Sequence, residues 1–284
     1  MFKKQKTISK LLNFGIKKLA RSKVNNSKFC AQVLLAEVAG LSRQQLYSHF
    51  DDKLEKSQIK KYKEFIDRRA NHEPVQYILG YANFRDLEIK VGPGVLIPRP
   101  ETEMLVQYVI DRSDNKVMNI LDLCTGSACI ACSLAKEFHD SKIVATDISN
   151  NALSYALENV EKYELASQID LYNTNLADGI DEISFDVIVS NPPYVPGNVY
   201  DNLDMEVKKF EPKISLWAGF DGLYFFEDIL DIAKDKLNDD GFAIIELYEE
   251  VLDKAAEIAN NYDFSSVEIL KDLTGTNRFL YFKA

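Results

Sequence analysis

The chain has 284 residues, of which 46% are hydrophobic, and a formal net charge of -10. This length predicts about two globular domains, no apolar run approaches the roughly 20 residues of a membrane span, and the basic N-terminus lacks the apolar region and cleavage site of a signal peptide. Because four cysteines in so long a chain do not make a disulfide framework, we expect a cytoplasmic protein that does not associate with a membrane.

The charge is distributed unevenly along the chain. Residues 1–75 contain 17 lysines and arginines against 7 acidic residues, whereas residues 76–284 contain 17 against 37. This asymmetry favours two domains with different surfaces. A basic front domain is suited to a nucleic acid or an acidic protein, while the acidic remainder should repel a phosphate backbone. The alternative is a solvated helical surface with no partner.

Residues 1–75 predict a small helical bundle. Apolar residues recur there at helical spacing, and glycine and proline are rare. Thr7 and Ser9 are each suitable N-caps for a first helix, and Ser42 precedes a later one.

The segment 36–47 resembles the helix-turn-helix of bacterial repressors. Gly40 lies where that motif turns, and Gln44, Gln45 and Tyr47 occupy positions from which side chains contact base edges. The alternative is that two helices of a bundle meet at a glycine turn. We favour the bundle, because nothing else in the chain is typical of a repressor.

Residues 76–97 predict a β-hairpin linker. The apolar stretches 77–80 and 87–91 favour short strands, residues 92–94 (Gly-Pro-Gly) a turn, and residues 95–97 a returning strand. The next segment, 98–103, combines proline with acidic residues as a helix start does.

From about residue 117, strand and helix patterns alternate, which predicts a doubly wound parallel sheet. We expect the first strand over 117–123 and the second over 143–146, ending at Asp147, with Ser149 capping the next helix. An acidic residue about 20 residues after the first turn is typical of ribose binding.

The first turn, residues 124–128, is poor in glycine. Cys124 and Ala128 stand where glycines would let a pyrophosphate approach the backbone, so S-adenosylmethionine fits better than a dinucleotide. A plain packing turn is the alternative.

Three cysteines near this turn, Cys124, Cys129 and Cys132, have the spacing of a plant-type iron–sulfur loop. Their only further companion, Cys30, lies far upstream. We interpret them as small buried packing groups and expect no metal.

The sequence Asn191-Pro192-Pro193-Tyr194 follows the apolar run 185–190. Proline has no N–H to donate, so the strand must end there. The Asn191 amide oxygen and the Pro192 carbonyl then form a pair of acceptors suited to a planar amine, and Tyr194 offers a ring for stacking. Since the motif holds no histidine or carboxylate, we expect no strong general base before attack.

With these motifs, the chain resembles the release-factor glutamine methyltransferases (the HemK or PrmC enzymes) from about residue 31 to 278. The matching segments are residues 35–37 and 40–43, Pro74 with residues 77–80, residues 96–103, 122–127, Asp147, 190–194, 211–212, Gly219, 221–223, and 272–275 with Arg278. The resemblance implies an α/β fold. It consists of a seven-stranded class I S-adenosylmethionine-dependent methyltransferase domain (Rossmann-like, 98–284), preceded by an all-α substrate-recognition domain (1–75) and the linker (76–97).

The resemblance also implies the substrate, the glutamine in the Gly-Gly-Gln motif of peptide-chain release factors, and the cofactor S-adenosyl-L-methionine. The implied cofactor-binding residues are Cys124, Thr125, Gly126, Ser127, Ala128, Asp147, Asn175, Leu176 and Asn191. The implied catalytic residues are Asn191, Pro192 and Tyr194. The implied glutamine-binding residues are Asn191, Pro192, Pro193 and Tyr194.

Two positions depart from the pattern of the family. Ala128 replaces a usual glycine and Asn175 a frequent aspartate. We expect a monomer and no DNA substrate. The alternatives are an N6-adenine methyltransferase, whose substrate also presents a planar amine, a ribosomal-protein glutamine methyltransferase, and a non-catalytic or NAD-binding module.

Overall fold

The structure, a computed structural model, describes residues 7–113, 118–181 and 183–284. The contacts divide these residues into two compact units. The first unit contains the described residues up to Gly80 and the segment Met205–Phe210, and the second unit contains Tyr81–Asp204 and Glu211–Ala284.

Helices make up the first unit and flank the sheet of the second. They are α1 (Ile8–Arg21), α2 (Ser27–Ala39), α3 (Gln45–Ser48), α4 (Lys56–Ala70), α5 (Val75–Leu79), α6 (Glu103–Arg112), α7 (Cys129–Glu137), α8 (Asn150–Lys162), α9 (Gly197–Tyr200), α10 (Met205–Phe210), α11 (Phe226–Lys236) and α12 (Leu252–Ala259). Short 3-10 turns cover Pro100–Thr102, Lys213–Ser215 and Glu249–Val251.

The first unit is the predicted helical bundle. Apolar residues of α1, α2 and α4 form its core, in which Leu11, Leu34 and Ile66 are fully buried. The Thr7 side chain accepts a hydrogen bond from the Lys10 amide and caps α1.

The segment with helix-turn-helix character is a glycine turn. Helix α2 ends at Gly40, whose φ of +67° is unfavourable for other residues. Ser42 and Gln45 then cap the next helix reciprocally, at 3.2 and 2.8 Å. That helix, α3, has only four residues, which is too short to serve as a recognition helix.

The hairpin differs from its prediction. Residues 77–80 were predicted as a strand, but residues 77–79 belong to α5, which begins after Pro74, and Gly80 is its C-cap. The hairpin strands are β1 (Tyr81–Phe84) and β2 (Leu87–Lys90). Gly92-Pro93-Gly94 is not their turn, and residues 95–97 do not form a strand. A short apolar run fits a helix turn as well as a strand, and here the proline and glycine at its ends decide for the helix.

The hairpin belongs to the second unit, and one buried asparagine links it to the rest of that unit. The Asn159 side chain, on α8, accepts a hydrogen bond from the Lys90 amide at 2.7 Å. It donates to the Ser127 carbonyl at 2.9 Å. One side chain therefore joins the hairpin to the loop that follows the first strand of the main sheet.

The second unit is built on a mixed sheet of seven strands. They are β3 (Asn119–Leu123), β4 (Lys142–Asp147), β5 (Ile169–Asn173), β6 (Phe185–Ser190), β7 (Leu237–Glu246), β8 (Ser266–Lys271) and β9 (Asn277–Lys283). Their order is β5-β4-β3-β6-β7-β9-β8, and β9 is antiparallel to both of its neighbours. The predicted seven-stranded methyltransferase fold is confirmed. Val117, expected in the first strand, lies outside the described residues.

The register of the parallel strands places the candidate residues at one edge. Leu123 pairs with Thr146 on one side and with Ser190 on the other, and Ser190 pairs with Ile245. The strand order reverses at β3, and the crevice beside such a reversal is where open α/β sheets bind ligands.

The first loop of the sheet contains a strained alanine, Ala128. Its φ of 60° and ψ of 29° place this fully buried residue in the left-handed region at the start of α7. We predict that Ala128→Gly relieves about 1–2 kcal/mol of strain, offset by about 1 kcal/mol of added chain entropy. The free energy of unfolding should then change by less than about 1 kcal/mol.

Ala131→Gly is the matched control, because Ala131 is equally buried but lies inside α7. Ala131→Gly should lower the free energy of unfolding by at least about 1 kcal/mol, since this substitution relieves no backbone strain. Urea denaturation measures both. Equal losses in the two variants would contradict the strain at Ala128.

Candidate active site

A cavity opens at the carboxyl ends of β3, β4 and β6, within the second unit. Most of the predicted site residues line it, namely Cys124, Thr125, Gly126, Ser127, Asp147, Asn175, Leu176, Asn191 and Pro193. Three predicted residues, Ala128, Pro192 and Tyr194, are not among the residues that line it. Ala128 and Pro192 are buried, and the Tyr194 side chain is half-buried.

The Asp147 carboxylate is fixed by backbone amides. The Gly126 amide donates to Oδ2 and the Ser149 amide to Oδ1, both at 2.8 Å. Burial raises the pKa of Asp147, and these two amides oppose that rise. Ser149 also accepts from the Ala152 amide and so caps α8, as predicted. The carboxylate is thereby held at the cavity wall.

The lining residues fit S-adenosylmethionine. A nucleoside requires acceptors for its ribose hydroxyls and apolar surface for its base, and Asp147 lies beside Ile148, which is 54% exposed, and Leu176. The Arg99 guanidinium, also in the lining, is bound to the buried Glu211 carboxylate at 2.6 Å, so its charge is already compensated. The wall therefore suits a nucleoside better than a pyrophosphate.

Asn191 belongs to a chain of buried and part-buried hydrogen bonds. The Asn191 Nδ2 donates to Thr102 Oγ1 at 3.0 Å, and Thr102 Oγ1 donates to Glu246 Oε2 at 2.7 Å. The Tyr194 hydroxyl donates to Glu246 Oε1 at 3.0 Å. The Glu246 carboxylate is thus linked to both ends of the Asn-Pro-Pro-Tyr sequence. It binds Tyr194 directly and Asn191 through Thr102.

Glu246 is almost fully buried, with 1% of its surface exposed. Burial raises its pKa to about 7, against the opposing effect of the hydrogen bonds from Thr102 and Tyr194 and of the Arg278 charge. Burial, together with the neighbouring carboxylate, also raises the pKa of Tyr194 well above its ordinary range, so its hydroxyl keeps its proton. The motif itself has no carboxylate, but the fold places one directly behind it.

The sequence analysis missed Glu246 and Thr102 as site residues. Thr102 lies inside the segment 98–103, which was assigned only to a helix start. Glu246 comes at the end of the apolar run of a buried strand. A single carboxylate in such a position is unusual, and this could have indicated a site residue.

Residues 216–222 support the loop that carries the Asn-Pro-Pro-Tyr sequence. Val195 exchanges backbone hydrogen bonds with Leu216 and Ala218, at 2.8 and 3.0 Å. Gly222, with a φ of +83°, lies so close that a Cβ atom would come within 2.7 Å of the Tyr194 carbonyl oxygen and 3.0 Å of Pro196. Gly222 therefore permits a backbone approach that no other residue allows.

The three cysteines near the first turn are free thiols, and two of them, Cys124 and Cys129, line the cavity. Cys129 and Cys132 are buried in α7, and burial raises the pKa of both thiols and of the half-buried Cys124. Over residues 7–113, 118–181 and 183–284, no cluster of three or more histidine, cysteine or acidic residues is arranged to hold a metal ion. No helix within the same ranges is long and apolar enough to cross a membrane.

Two family profiles match the chain. The PrmC N-terminal domain matches residues 10–80, and the methyltransferase small domain matches residues 100–207.

Curated relatives match over most of their length. A release factor glutamine methyltransferase of Rhodopirellula baltica is 37% identical over 247 residues, covering 85% of this chain and 83% of that protein. One of Geobacter sulfurreducens is 36% identical over 241 residues, covering 85% and 84%. The chain belongs to the release factor glutamine methyltransferase family. Members of this family are S-adenosylmethionine-dependent methyltransferases, and the predicted enzyme class and cofactor are confirmed.

A solved structure agrees with the methyltransferase fold. A methyltransferase from Pyrococcus furiosus superimposes with a TM-score of 0.52 at 25% identity, covering 70% of this chain and 89% of that one.

The close approach at Gly222 generates a prediction for this family member. In Gly222→Ala, the new methyl group collides with the Tyr194 carbonyl and must displace the motif. We expect methyl transfer to fall by about 10-fold or more, because a shift of about 1 Å at reacting groups has such effects. Cofactor affinity, measured by calorimetry, should stay within a few fold.

Gly275→Ala is the matched control. Gly275 has nearly the same φ, +86°, but a Cβ atom there meets nothing within 4 Å. This variant carries the backbone strain without the collision, so methyl transfer should persist. Equal loss of activity in both variants would rule out the collision as the cause.

Proposed function

We propose that this chain transfers a methyl group from S-adenosylmethionine to the side-chain amide nitrogen (N5) of the glutamine in the Gly-Gly-Gln motif of peptide-chain release factors. The observation that carries the proposal is that Asn191, with its amide oriented by Thr102, lines the same cavity as Asp147. Family membership supports the choice of substrate, since the relatives are named release factor glutamine methyltransferases.

The Asn191 amide supplies the first contact to the glutamine. Its Nδ2 donates to Thr102, which leaves Oδ1 as an acceptor at the cavity. The Pro192 carbonyl is proposed as the second acceptor. A primary amide has two N–H donors, so these two oxygens would bind both of them and fix the plane of the amide.

Positioning is the main catalytic contribution of this loop. An amide nitrogen is a poor nucleophile, because its lone pair is delocalised into the carbonyl group. When bound, the cofactor supplies a strongly electrophilic methyl group. Asn191 and Pro192 would direct the nitrogen toward that methyl, and their oxygens would stabilise the positive charge that grows on the nitrogen.

Tyr194 and Pro193 complete the proposed glutamine site. The Tyr194 ring is proposed to stack on the amide, and its hydroxyl is already held by Glu246. Pro193 lines the cavity with Phe225 and Ile214, and these apolar groups would limit the access of water.

The remaining roles follow from charge and from the substrate. We propose residues 1–75 as the substrate-recognition domain and 98–284 as the catalytic domain, with the cytoplasm, where translation takes place, as the site of action. The acidic catalytic part argues against a DNA substrate. A monomer is proposed, and sedimentation equilibrium should give a mass near 32.3 kDa.

The test uses the full chain with labelled S-adenosylmethionine and four acceptors. These are a release factor, its Gln→Ala variant in the Gly-Gly-Gln motif, a ribosomal protein preparation and adenine-containing DNA. Label on the release factor that is lost in the Gln→Ala variant supports the proposal. Label on DNA, on ribosomal protein alone, or on the Gln→Ala variant would overturn it.

Two variants separate the functions assigned to the cavity. Asn191→Ala should reduce methyl transfer by roughly 10²-fold or more while cofactor affinity changes by only a few fold, because the substituted amide acts on the transition state. Asp147→Ala should chiefly weaken cofactor binding. Equilibrium dialysis and single-turnover kinetics measure the two quantities.

Asn261→Ala is the control for Asn191→Ala. Asn261 is exposed after α12 and is not among the cavity-lining residues. It should leave both quantities unchanged. If Asn191→Ala binds the cofactor poorly but turns over normally, the role assigned to Asn191 is wrong.

A further inference from the structure

We propose that Glu246 is a positioning residue for methyl transfer, whose ionised carboxylate sets the direction of the Asn191 amide through the Thr102 hydroxyl. The inference rests on the proposed function, since it concerns the same glutamine site. It assigns a task to two buried residues outside the Asn-Pro-Pro-Tyr sequence.

The direction of the amide follows from counting donors. An ionised carboxylate only accepts hydrogen bonds, and here one oxygen accepts from Tyr194 and the other from Thr102. A threonine hydroxyl has a single hydrogen, and this one is donated to Glu246. Toward Asn191, therefore, the Thr102 oxygen can only accept.

The amide of Asn191 must meet that acceptor with its nitrogen, as the 3.0 Å contact shows. The amide oxygen then lies on the other side of the group, where it can accept from a substrate amine. Thus a carboxylate two hydrogen bonds away determines that the substrate meets an acceptor rather than a donor.

Protonation of Glu246 would remove this constraint. A protonated Oε2 donates to Thr102, whose own hydrogen can then turn toward Asn191. The Asn191 amide would rotate to accept that hydrogen and present its NH₂ group to the cavity. An NH₂ group facing the NH₂ of a glutamine cannot bind it, so this state is inactive.

The surroundings of Glu246 place this protonation near neutral pH. Burial raises its pKa to about 7. The groups that face it are the hydroxyls of Thr102 and Tyr194, the Arg278 charge on β9, which lowers the pKa, and the Glu101 charge, which raises it. Arg278 is itself paired with Asp272 at 3.4 Å, which weakens its influence.

The cost in stability of burying Glu246 also favours a functional role for this residue. Glu246 ends a strand whose preceding residues, Ile244 and Ile245, are fully buried, and an apolar residue would extend that core. A buried carboxylate lowers the free energy of unfolding relative to an apolar residue of similar size. The orientation of Asn191 accounts for its presence.

The kinetic test compares pH profiles of the full chain with a release factor as substrate. In the wild type, the ionised form is active, so kcat should fall as the pH is lowered through about 7. Glu246→Gln cannot ionise and presents an NH₂ group to one of its two donors. It should lower kcat by about 10-fold to 10²-fold and flatten the profile below pH 8, with KM for the cofactor within a few fold.

Two variants of Thr102 distinguish orientation from packing. Thr102→Ser keeps the hydroxyl and should keep kcat within a few fold and the pH profile intact. Thr102→Val keeps the shape and removes the hydroxyl, so it should resemble Glu246→Gln. If Ser and Val variants lose activity equally, in parallel with their thermal stability, Glu246 and Thr102 have only a structural role and the inference is overturned.

A measurement without substrate separates this inference from the proposed function. In protein labelled with ¹⁵N-asparagine, the side-chain amide signals of Asn191, assigned with Asn191→Asp, should titrate with Glu246 in the wild type and not in Glu246→Gln. If the Asn191 signals have the same pH dependence in the wild type and in Glu246→Gln, the inference is overturned even if the release factor is methylated. Signals that follow Glu246 would support it even if the release factor is not a substrate.

Discussion

The parallel pairing of β6 between β3 and β7 is the constraint on which the site depends. Ser190 lies level with Leu123 on one side and with Ile245 on the other. The next residue along each strand is therefore Cys124, Asn191 or Glu246. Prolines at 192 and 193 cannot donate to a ladder, so β6 ends at this level and does not run past its neighbours. A shift of one residue would turn Glu246 to the opposite face and break its bonds to Thr102 and Tyr194.

Three buried or half-buried carboxylates lie at or near this edge of the sheet. Each of them accepts hydrogen bonds from a different kind of donor. Asp147 accepts from backbone amides, Glu211 from the Arg99 guanidinium and the Ile97 amide, and Glu246 from two neutral hydroxyls. An arginine partner compensates the charge directly. Neutral hydroxyls compensate it least, and burial raises the pKa of Glu246 to about 7. Of these three carboxylates, Glu246 is thus the one that accepts only from hydroxyl groups.

The sequence was sufficient where the signal is local. The alternation of strands and helices predicts the sheet, and Asp147 and Asn191 are found because each follows an apolar run directly. Glu246 and Thr102 were not predicted as site residues, because their contact joins residues 144 positions apart and the periodicity of a sequence does not indicate such a pairing. The hairpin was misplaced because its turn contains Arg85, with a φ of 50°, where glycine or asparagine is expected, while Gly92 and Gly94 lie outside the hairpin.

The two halves of the cavity are held by different kinds of bonds, and this difference explains how the chain accommodates alanine at residue 128. The cofactor loop is fixed mainly through its backbone, with the Thr125 amide bonded to the Thr146 carbonyl at 2.9 Å and the Gly126 amide to Asp147. Such bonds persist whichever side chain stands at residue 128, at the cost of strain when it is alanine. The proposed glutamine half depends on the side chains of Thr102, Asn191 and Glu246. For each of them, one choice of donor and acceptor is compatible with the other two. A change of residue type there alters the direction of a hydrogen bond, so this half of the site permits far less variation.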